Sequence, residues 1–245
     1  MTRYRPECLV ILTLVIAACG SAKGSVAVLE DNLNDNFLDP TKWPTRDVVG
    51  TSSSISEVGS ELRFGVDGAN STANHAWLWS QDIDIPDWTE LSLTGAWRMT
   101  NVRSAEFHIF LYDADDPTHW VNAFYHVWEG KFRLRDNTGM LDWVSRSYRT
   151  SMTPFDFVIT PTGLSFYENS QLVVQTESTA LAGASALRIS LGTWEYSRYN
   201  TTQWLYYDDL QLSVEETPVP APGALMAATI GLAAVAAARR KRMAA

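Results

Sequence analysis

An all-β fold of two packed antiparallel sheets, or a closed barrel, is what this sequence of 245 residues predicts, and three observations carry the expectation. Apolar residues recur with period two rather than 3.6. Turn-forming residues interrupt the chain at intervals of about ten residues. No segment before the C-terminal tail carries a helical apolar stripe of ordinary length.

The alternation is legible strand by strand. Leu91, Leu93, Trp97 and Met99 alternate with Ser92, Thr94 and Arg98. Phe107, Ile109 and Leu111 alternate with Glu106 and His108, and Leu210, Leu212 and Val214 with Gln211 and Ser213. Each pattern describes a half-buried strand, because successive side chains point to opposite faces. Further strands are expected over 61–66, 76–85, 121–128, 131–135, 155–160, 164–167, 172–176 and 187–191. Gly59, Asp67-Gly68, Asp116-Pro117, Glu129-Gly130, Asn137-Thr138-Gly139, Pro161-Thr162-Gly163 and Asn169-Ser170 supply the turns. No fixed-period repeat is present, which disfavours a solenoid or propeller.

Both ends read as targeting segments. Arg3 and Arg5 precede an apolar run over 9–18, too short for an ordinary span and built like a secretory signal. The small residues Ser25, Val26 and Ala27 suit a signal peptidase, giving a leader over 1–27; alternatively Ile16-Ala17-Ala18-Cys19 resembles a lipobox, with Cys19 acylated. At the other end come a linker over 215–222 containing Pro220-Ala221-Pro222, an uncharged apolar helix over 223–238, and a basic tail over 239–245 with Arg239, Arg240, Lys241 and Arg242. An apolar segment closed by clustered cations predicts a transmembrane helix whose basic end stays cytoplasmic. The stretch 219–238 matches the roughly twenty residues that a bilayer requires. This order of parts resembles the PEP-CTERM sorting signal of bacterial exported proteins, although the middle residue is Ala221 where that family most often has Glu. The resemblance implies transient anchoring in the inner membrane, an exosortase-like sorting enzyme as partner, and delivery to the cell surface or extracellular matrix.

The body between these ends, 28–214, is long enough for one domain with its own core. Cys8 and Cys19 both lie in the leader, so the exported body contains no thiol for a disulfide, a nucleophile or a metal. Between residues 28 and 218 there are 27 acids and 12 Lys plus Arg, a net charge of −15. Such a surface repels phosphate backbones and excludes nucleic acid as a partner.

Three stretches carry a second resemblance. Glu30-Asp31-Asn32-Leu33-Asn34-Asp35-Asn36-Phe37-Leu38-Asp39-Pro40-Thr41-Lys42-Trp43 resembles the first strand and turn of concanavalin A-like lectin/glucanase (LamG-like) sandwiches. Phe157-Val158-Ile159 with Pro161-Thr162-Gly163-Leu164-Ser165-Phe166-Tyr167-Glu168-Asn169-Ser170-Gln171-Leu172-Val173 is similar to paired strands of such domains, and Leu205-Tyr206-Tyr207-Asp208-Asp209-Leu210-Gln211-Leu212 to the last strand, which lies beside the first. The resemblance implies a jelly roll. It also implies a structural calcium where the chain start meets the last strand, with Asp31 and Asp209 as oxygen ligands beside Glu30 and Asp208.

Function is read from the same body. Ten Trp invite a sugar-binding surface, since flat rings cover the apolar faces of pyranoses; the candidates are Trp77, Trp79, Trp120, Trp128, Trp143, Trp194 and Trp204. Most rings are nevertheless assigned to packing. Trp77 and Trp79 share a strand face, as a core layer or a platform. Glucanases with this fold carry a Glu-x-Asp-x-x-Glu strand that this sequence lacks, and Glu129 and Glu195 read as solvated strand-end carboxylates. His75, His108, His119 and His126 lack the spacing of a zinc helix. The expectation is a non-catalytic, surface-sorted sandwich; the alternatives are a carbohydrate-binding module, with extracellular polysaccharide as partner, and a polysaccharide hydrolase or lyase with an atypical site.

Overall fold

The computed structural model describes residues 25–50, 53–66, 74–85, 87–101, 103–195 and 202–216. Among them there is no helix. The chain runs through β1 (Ser25–Asp31), β2 (Thr45–Val49), β3 (Ser54–Glu57), β4 (Leu62–Val66), β5 (Asn74–Trp79) and β6 (Ile83–Asp84). It continues through β7 (Trp88–Thr100), β8 (Ala105–Asp113), β9 (Trp120–His126), β10 (Lys131–Asp136) and β11 (Gly139–Ser145). The last five are β12 (Thr153–Thr160), β13 (Gly163–Glu168), β14 (Gln171–Glu177), β15 (Ala186–Glu195) and β16 (Gln203–Glu216).

These strands form two antiparallel sheets. The first has the order β14-β13-β12-β7-β16-β4-β3, with β1 also paired to β16; the second has the order β11-β10-β9-β8-β15-β5-β2, with β6 also paired to β15. Neighbours in a sheet are often distant in sequence, because the chain repeatedly crosses from one sheet to the other, as a jelly-roll sandwich requires. The first strand does lie beside the last, with Asp31 opposite Leu210. Strand β1 begins at Ser25, so the expected leader boundary at residue 27 falls within it.

Between the sheets sits a core that the period-two residues supply. Leu91, Leu93, Trp97 and Met99 of β7 face Phe107, Ile109 and Leu111 of β8, all fully or almost fully buried. Aromatic pairs knit the layers together: Trp97 to Phe107 with ring centroids 4.3 Å apart, and Phe132 to Phe166 at 4.2 Å. Tyr207 of the first sheet reaches across and donates its hydroxyl to the backbone oxygen of His108 in the second, at 2.7 Å. Burial raises the Tyr207 phenol well above its ordinary range, so it remains a donor at any working pH. The opening turn closes on the core through Trp43, whose Nε1 donates to Asp31 at 2.7 Å.

Four strands carry little or no sequence signal. Strand β2 is exposed along its whole length, β3 is four residues long, and β11 is largely exposed. All three end a sheet, where a strand pairs on one side only and buries too little to impose alternation. The fourth, β6, spans two residues and is the tail of the predicted 76–85 strand, which breaks after Trp79.

Candidate functional site

Register places the outward residues of the second sheet in rows running across its seven main strands. One row is Thr45, Trp79, Ser190, Phe110, Asn122, Arg135 and Met140. The next is Asp47, Trp77, Gly192, His108, Phe124, Arg133 and Trp143. A third is Val49, His75, Trp194, Glu106, His126, Lys131 and Ser145. Arg188, Tyr112 and Trp120 begin a fourth. This face faces away from the core, yet its centre is shut off from water: Glu106 is 4% exposed, His108 2% and Asn122 0%.

Rings from neighbouring strands cause that burial. His108 stacks on Phe124 across the β8–β9 pair, with centroids 5.1 Å apart and planes within 6°. Trp77 approaches His108 to 5.3 Å and Phe110 to 5.7 Å. It can do so because Gly192 lies beneath it: a Cβ there would sit 2.3 Å from Trp77 Cε3 and 2.5 Å from the Ala76 carbonyl. Only glycine fits such a backbone approach.

Within this layer Glu106 is held by two imidazoles. His108 Nε2 lies 2.8 Å from Glu106 Oε2, and His126 Nε2 lies 3.1 Å from Oε1. The His126 tautomer follows from its other nitrogen, Nδ1, which accepts the Glu129 backbone N–H at 3.3 Å. Nε2 therefore carries the proton, on the side of the ring that lies 3.1 Å from Glu106. Burial drives the His108 pKa below its ordinary value, against the opposing pull of Glu106, so His108 is neutral near pH 7. Its Nδ1 is buried without a hydrogen bond.

A second carboxylate stands above the first. Glu129, in the β9–β10 turn, lies 3.8 Å from the same His126 Nε2. Sharing that nitrogen, Glu106 and Glu129 are at most about 7 Å apart, the sum of the two contacts. Arg133 donates to Glu129, and Lys131 Nζ lies 3.1 Å from it. These cations hold the Glu129 carboxyl below the usual carboxylate range, the Arg133 hydrogen bond most strongly. Glu129 is thus not simply a solvated strand-end residue but the open member of a bridged pair, with its side chain 38% exposed.

Exposed rings flank the pair. Trp143 is 49% exposed with Lys131 Nζ 4.0 Å from its ring centre, and Trp128 in the β9–β10 turn is 67% exposed. At the far end of the face, Trp79, Tyr112, Pro117 and Arg188 line a cavity of about 210 Å3.

The seven Trp candidates are therefore mostly not packing between the sheets. Trp77, Trp79, Trp120, Trp143 and Trp194 belong to this outer layer, Trp128 borders it, and Trp204 lies on the outer side of the first sheet under Arg63. The core tryptophans are Trp43, Trp88 and Trp97. Glu195 corrects its reading in the other direction. It points inward, is buried, and accepts hydrogen bonds from Ser104 and Gln203. The acidic turn at Asp113 serves itself, its carboxylate accepting from the backbone of Asp115 and Asp116.

Asp31 and Asp209 do come near each other through the β1–β16 pairing. The Asp31 carboxylate, however, accepts from Trp43 and lies 3.5 Å from Lys42 Nζ, a cation where calcium would need oxygen. Asp209 is an exposed residue of the β16 bulge with φ 49°. Among the described residues, no group of three or more His, Cys, Asp or Glu is placed to hold a metal. The sorting residues Pro220, Ala221, Pro222, Arg239, Arg240, Lys241 and Arg242, and Cys19, lie outside the described residues.

Comparison with known proteins adds a fold. No protein-family profile matches the sequence, and no curated protein matches it either. Among solved structures, the endo-β-1,3-glucanase of Pyrococcus furiosus superposes with a TM-score of 0.61 at 6% identity, covering 81% of this chain and 97% of that one. A β-1,3-1,4-glucanase (lichenase) from a mouse hindgut metagenome gives 0.55 at 11% identity, over 77% and 99%. The carbohydrate recognition domain of Emp46p gives 0.53 at 14% identity, over 76% and 95%. The body shares its two-sheet β-sandwich fold with these structures.

The expectation of a non-catalytic body does not survive this. Two of these three superposed structures are glucanases matched over nearly their full length, so the same fold occurs in hydrolases and gives no ground for a non-catalytic body. The missing Glu-x-Asp-x-x-Glu strand was the ground for a non-catalytic reading. It tests one arrangement of carboxylates on a single strand, whereas here the pair is assembled from β8 and the β9–β10 turn.

Several of these residues were missed in the sequence. Glu106, Phe110, Asn122, Phe124 and His126 are hidden because β8 and β9 are buried on both faces, and Arg133 and Arg135 because outward cations on β10 read as ordinary surface. The available signal was that Glu106-x-His108-x-Phe110-x-Tyr112 and Trp120-x-Asn122-x-Phe124-x-His126 each place rings and polar groups together on one side.

Proposed function

We propose that the outer face of the second sheet binds an extended polysaccharide and cleaves its glycosidic bonds, with Glu129 and Glu106 as the carboxylate pair. The observation that carries this is the bridge through His126, which sets two carboxylates within about 7 Å of each other beside exposed Trp143 and Trp128. Carboxylate pairs flanking a scissile glycosidic bond stand about 5 to 9.5 Å apart. Glu129 is the member a glycan touches. Ionised Glu129 takes a proton from the water that attacks the anomeric carbon, the departing sugar oxygen takes one from solvent, and buried Glu106 with His126 holds the site from beneath. The glucanase and lectin structures with this sandwich support the substrate class.

A purely binding reading is favoured by one observation: Arg133 and Lys131 already hold Glu129, so it is ionised rather than poised as an acid. Incubation with laminarin, lichenan and polyuronates, read as reducing ends and by affinity electrophoresis, separates the two. Cleavage that falls by about a hundredfold or more in Glu129→Gln and Glu106→Gln, with retention in the gel unchanged, is the expected result. Retention without cleavage in the unmutated protein would leave a lectin-like module.

For location, we propose export through the leader followed by sorting on the PEP-CTERM-like tail by an exosortase-like enzyme, with the surface or matrix as destination. The order of Pro220-Ala221-Pro222, apolar run and Arg239-Arg240-Lys241-Arg242 supports it. Intact-mass analysis of protein from the cell surface tests both ends, including acylation at Cys19; a chain still carrying its basic tail there would refute the sorting step.

A further inference from the structure

Resting on the glycan reading, we infer that this face is built for an acidic polysaccharide, one whose sugar rings carry carboxylate groups. Charge on this face runs against the trend of the molecule. Between residues 28 and 218 acids outnumber Lys plus Arg by 27 to 12. In the rows of the second sheet cations instead draw level with acids: Lys131, Arg133, Arg135 and Arg188 stand against Asp47 and Glu106, with Glu129 on Lys131 and Arg133 and Asp82 on Arg188. Three of the four histidines, His75, His108 and His126, share this face.

The cations are also placed where a sugar would rest. All three outward residues of β10 are cationic, in consecutive rows, so a chain lying along that strand meets a positive group at each step. Lys131 lies over the exposed ring of Trp143. A pyranose stacked beside that ring brings a substituent of its own within reach of the ammonium. Arg135 is set between the rings of Trp120 and Phe124, 5.4 and 4.8 Å from their centres, with its Nε on Asn122. At the other end, Arg188, ion-paired with Asp82 at 2.6 Å, lines the cavity beside Trp79, Tyr112 and Asp113. The molecule already shows this chemistry in use, since the Glu129 carboxylate sits on Lys131 and Arg133. Neutral glucans offer hydroxyls to such groups, whereas carboxylates form shorter, charge-assisted hydrogen bonds to them.

The test uses affinity electrophoresis and calorimetry of the full chain with polygalacturonate and alginate as uronate polymers, laminarin and lichenan as neutral ones, and dextran sulfate as a carboxylate-free anion. The expected result is binding to a uronate polymer at least about tenfold tighter than to either neutral glucan, weakening as NaCl rises from about 50 to about 500 mM. Lys131→Gln with Arg135→Gln should remove that preference; should the double variant misfold, the salt dependence of the unmutated protein still decides. Equal or better binding of neutral glucans would overturn the inference and leave the glycan reading standing. Dextran sulfate binding as tightly as the uronates would also overturn it, showing attraction to charge without recognition of carboxylate. Failure to bind or cleave any polymer would remove the glycan reading itself.

Discussion

The outer faces of the two sheets start from the same pleat and end differently. On the first sheet the outward residues of β7 are Ser92, Thr94, Ala96 and Arg98, all partly exposed. What order they have comes in pairs: Ser92 donates to Asp156 at 2.6 Å, and Arg98 holds Glu61 while lying 3.8 Å from the Tyr206 ring centre. On the second sheet the outward residues of β8 and β9 form a continuous layer of rings, imidazoles and one carboxylate, most of it buried. A buried layer is fixed before any ligand arrives, and that preorganisation is what a site needs. The difference shows that a sandwich can carry three packed layers when one outer face is given large rings.

If that layer is packed like a core, truncating it should cost like a core. Phe124→Ala is expected to destabilise by about 3–5 kcal/mol, while Thr94→Ala on the other outer face stays within about 0.5 kcal/mol. Urea denaturation of the two variants makes the comparison directly, and equal midpoints would mean that the second face is an ordinary surface.

The next effect tests how Trp77 is seated. Gly192→Ala places a methyl against Trp77 and the Ala76 carbonyl and should cost about 1–3 kcal/mol, with a red shift of tryptophan emission as the ring lifts. Gly183→Ala, where nothing lies within 4 Å of the added carbon, is the matched control and should show neither change.

The smallest effect is a pH dependence. His108 in the fold binds its proton less readily than in the unfolded chain, because burial outweighs the pull of Glu106. Above about pH 6.5 both states are neutral and the residue contributes no slope. Below that pH the unfolded chain takes up a proton that the folded chain refuses, so stability falls as pH falls, until the folded-state pKa is reached. Denaturation midpoints between pH 7 and pH 5 should show this decline, and His108→Gln should flatten it.

Much of the fold was legible in the residues themselves. Alternation in β7, β8 and β16 and the turn residues between strands predicted a two-sheet body, and the Glu30 to Trp43 and Leu205 to Leu212 stretches predicted that first and last strands adjoin. The edge strands β2, β3 and β11 were not legible, because they bury too few apolar side chains to alternate, whereas the edge strand β14 buries Val174 and was legible. The site was less legible still. Period two established that Trp77 and Trp79 share a face, but Ala76 and Leu78 opposite them are apolar as well. Nothing local says which side turns inward.

The sequence by itself determined that this chain makes antiparallel strands, that its body has no cysteine chemistry, and that it is acidic. Tertiary structure alone decided that five tryptophans and three histidines share an outer face, and that Glu106 and Glu129 meet at one imidazole nitrogen. The reason is register. A slip of one residue between β8 and β9 would send Glu106 and His126 to opposite faces, and register is held by inward residues that pack against strands of the other sheet, distant in sequence.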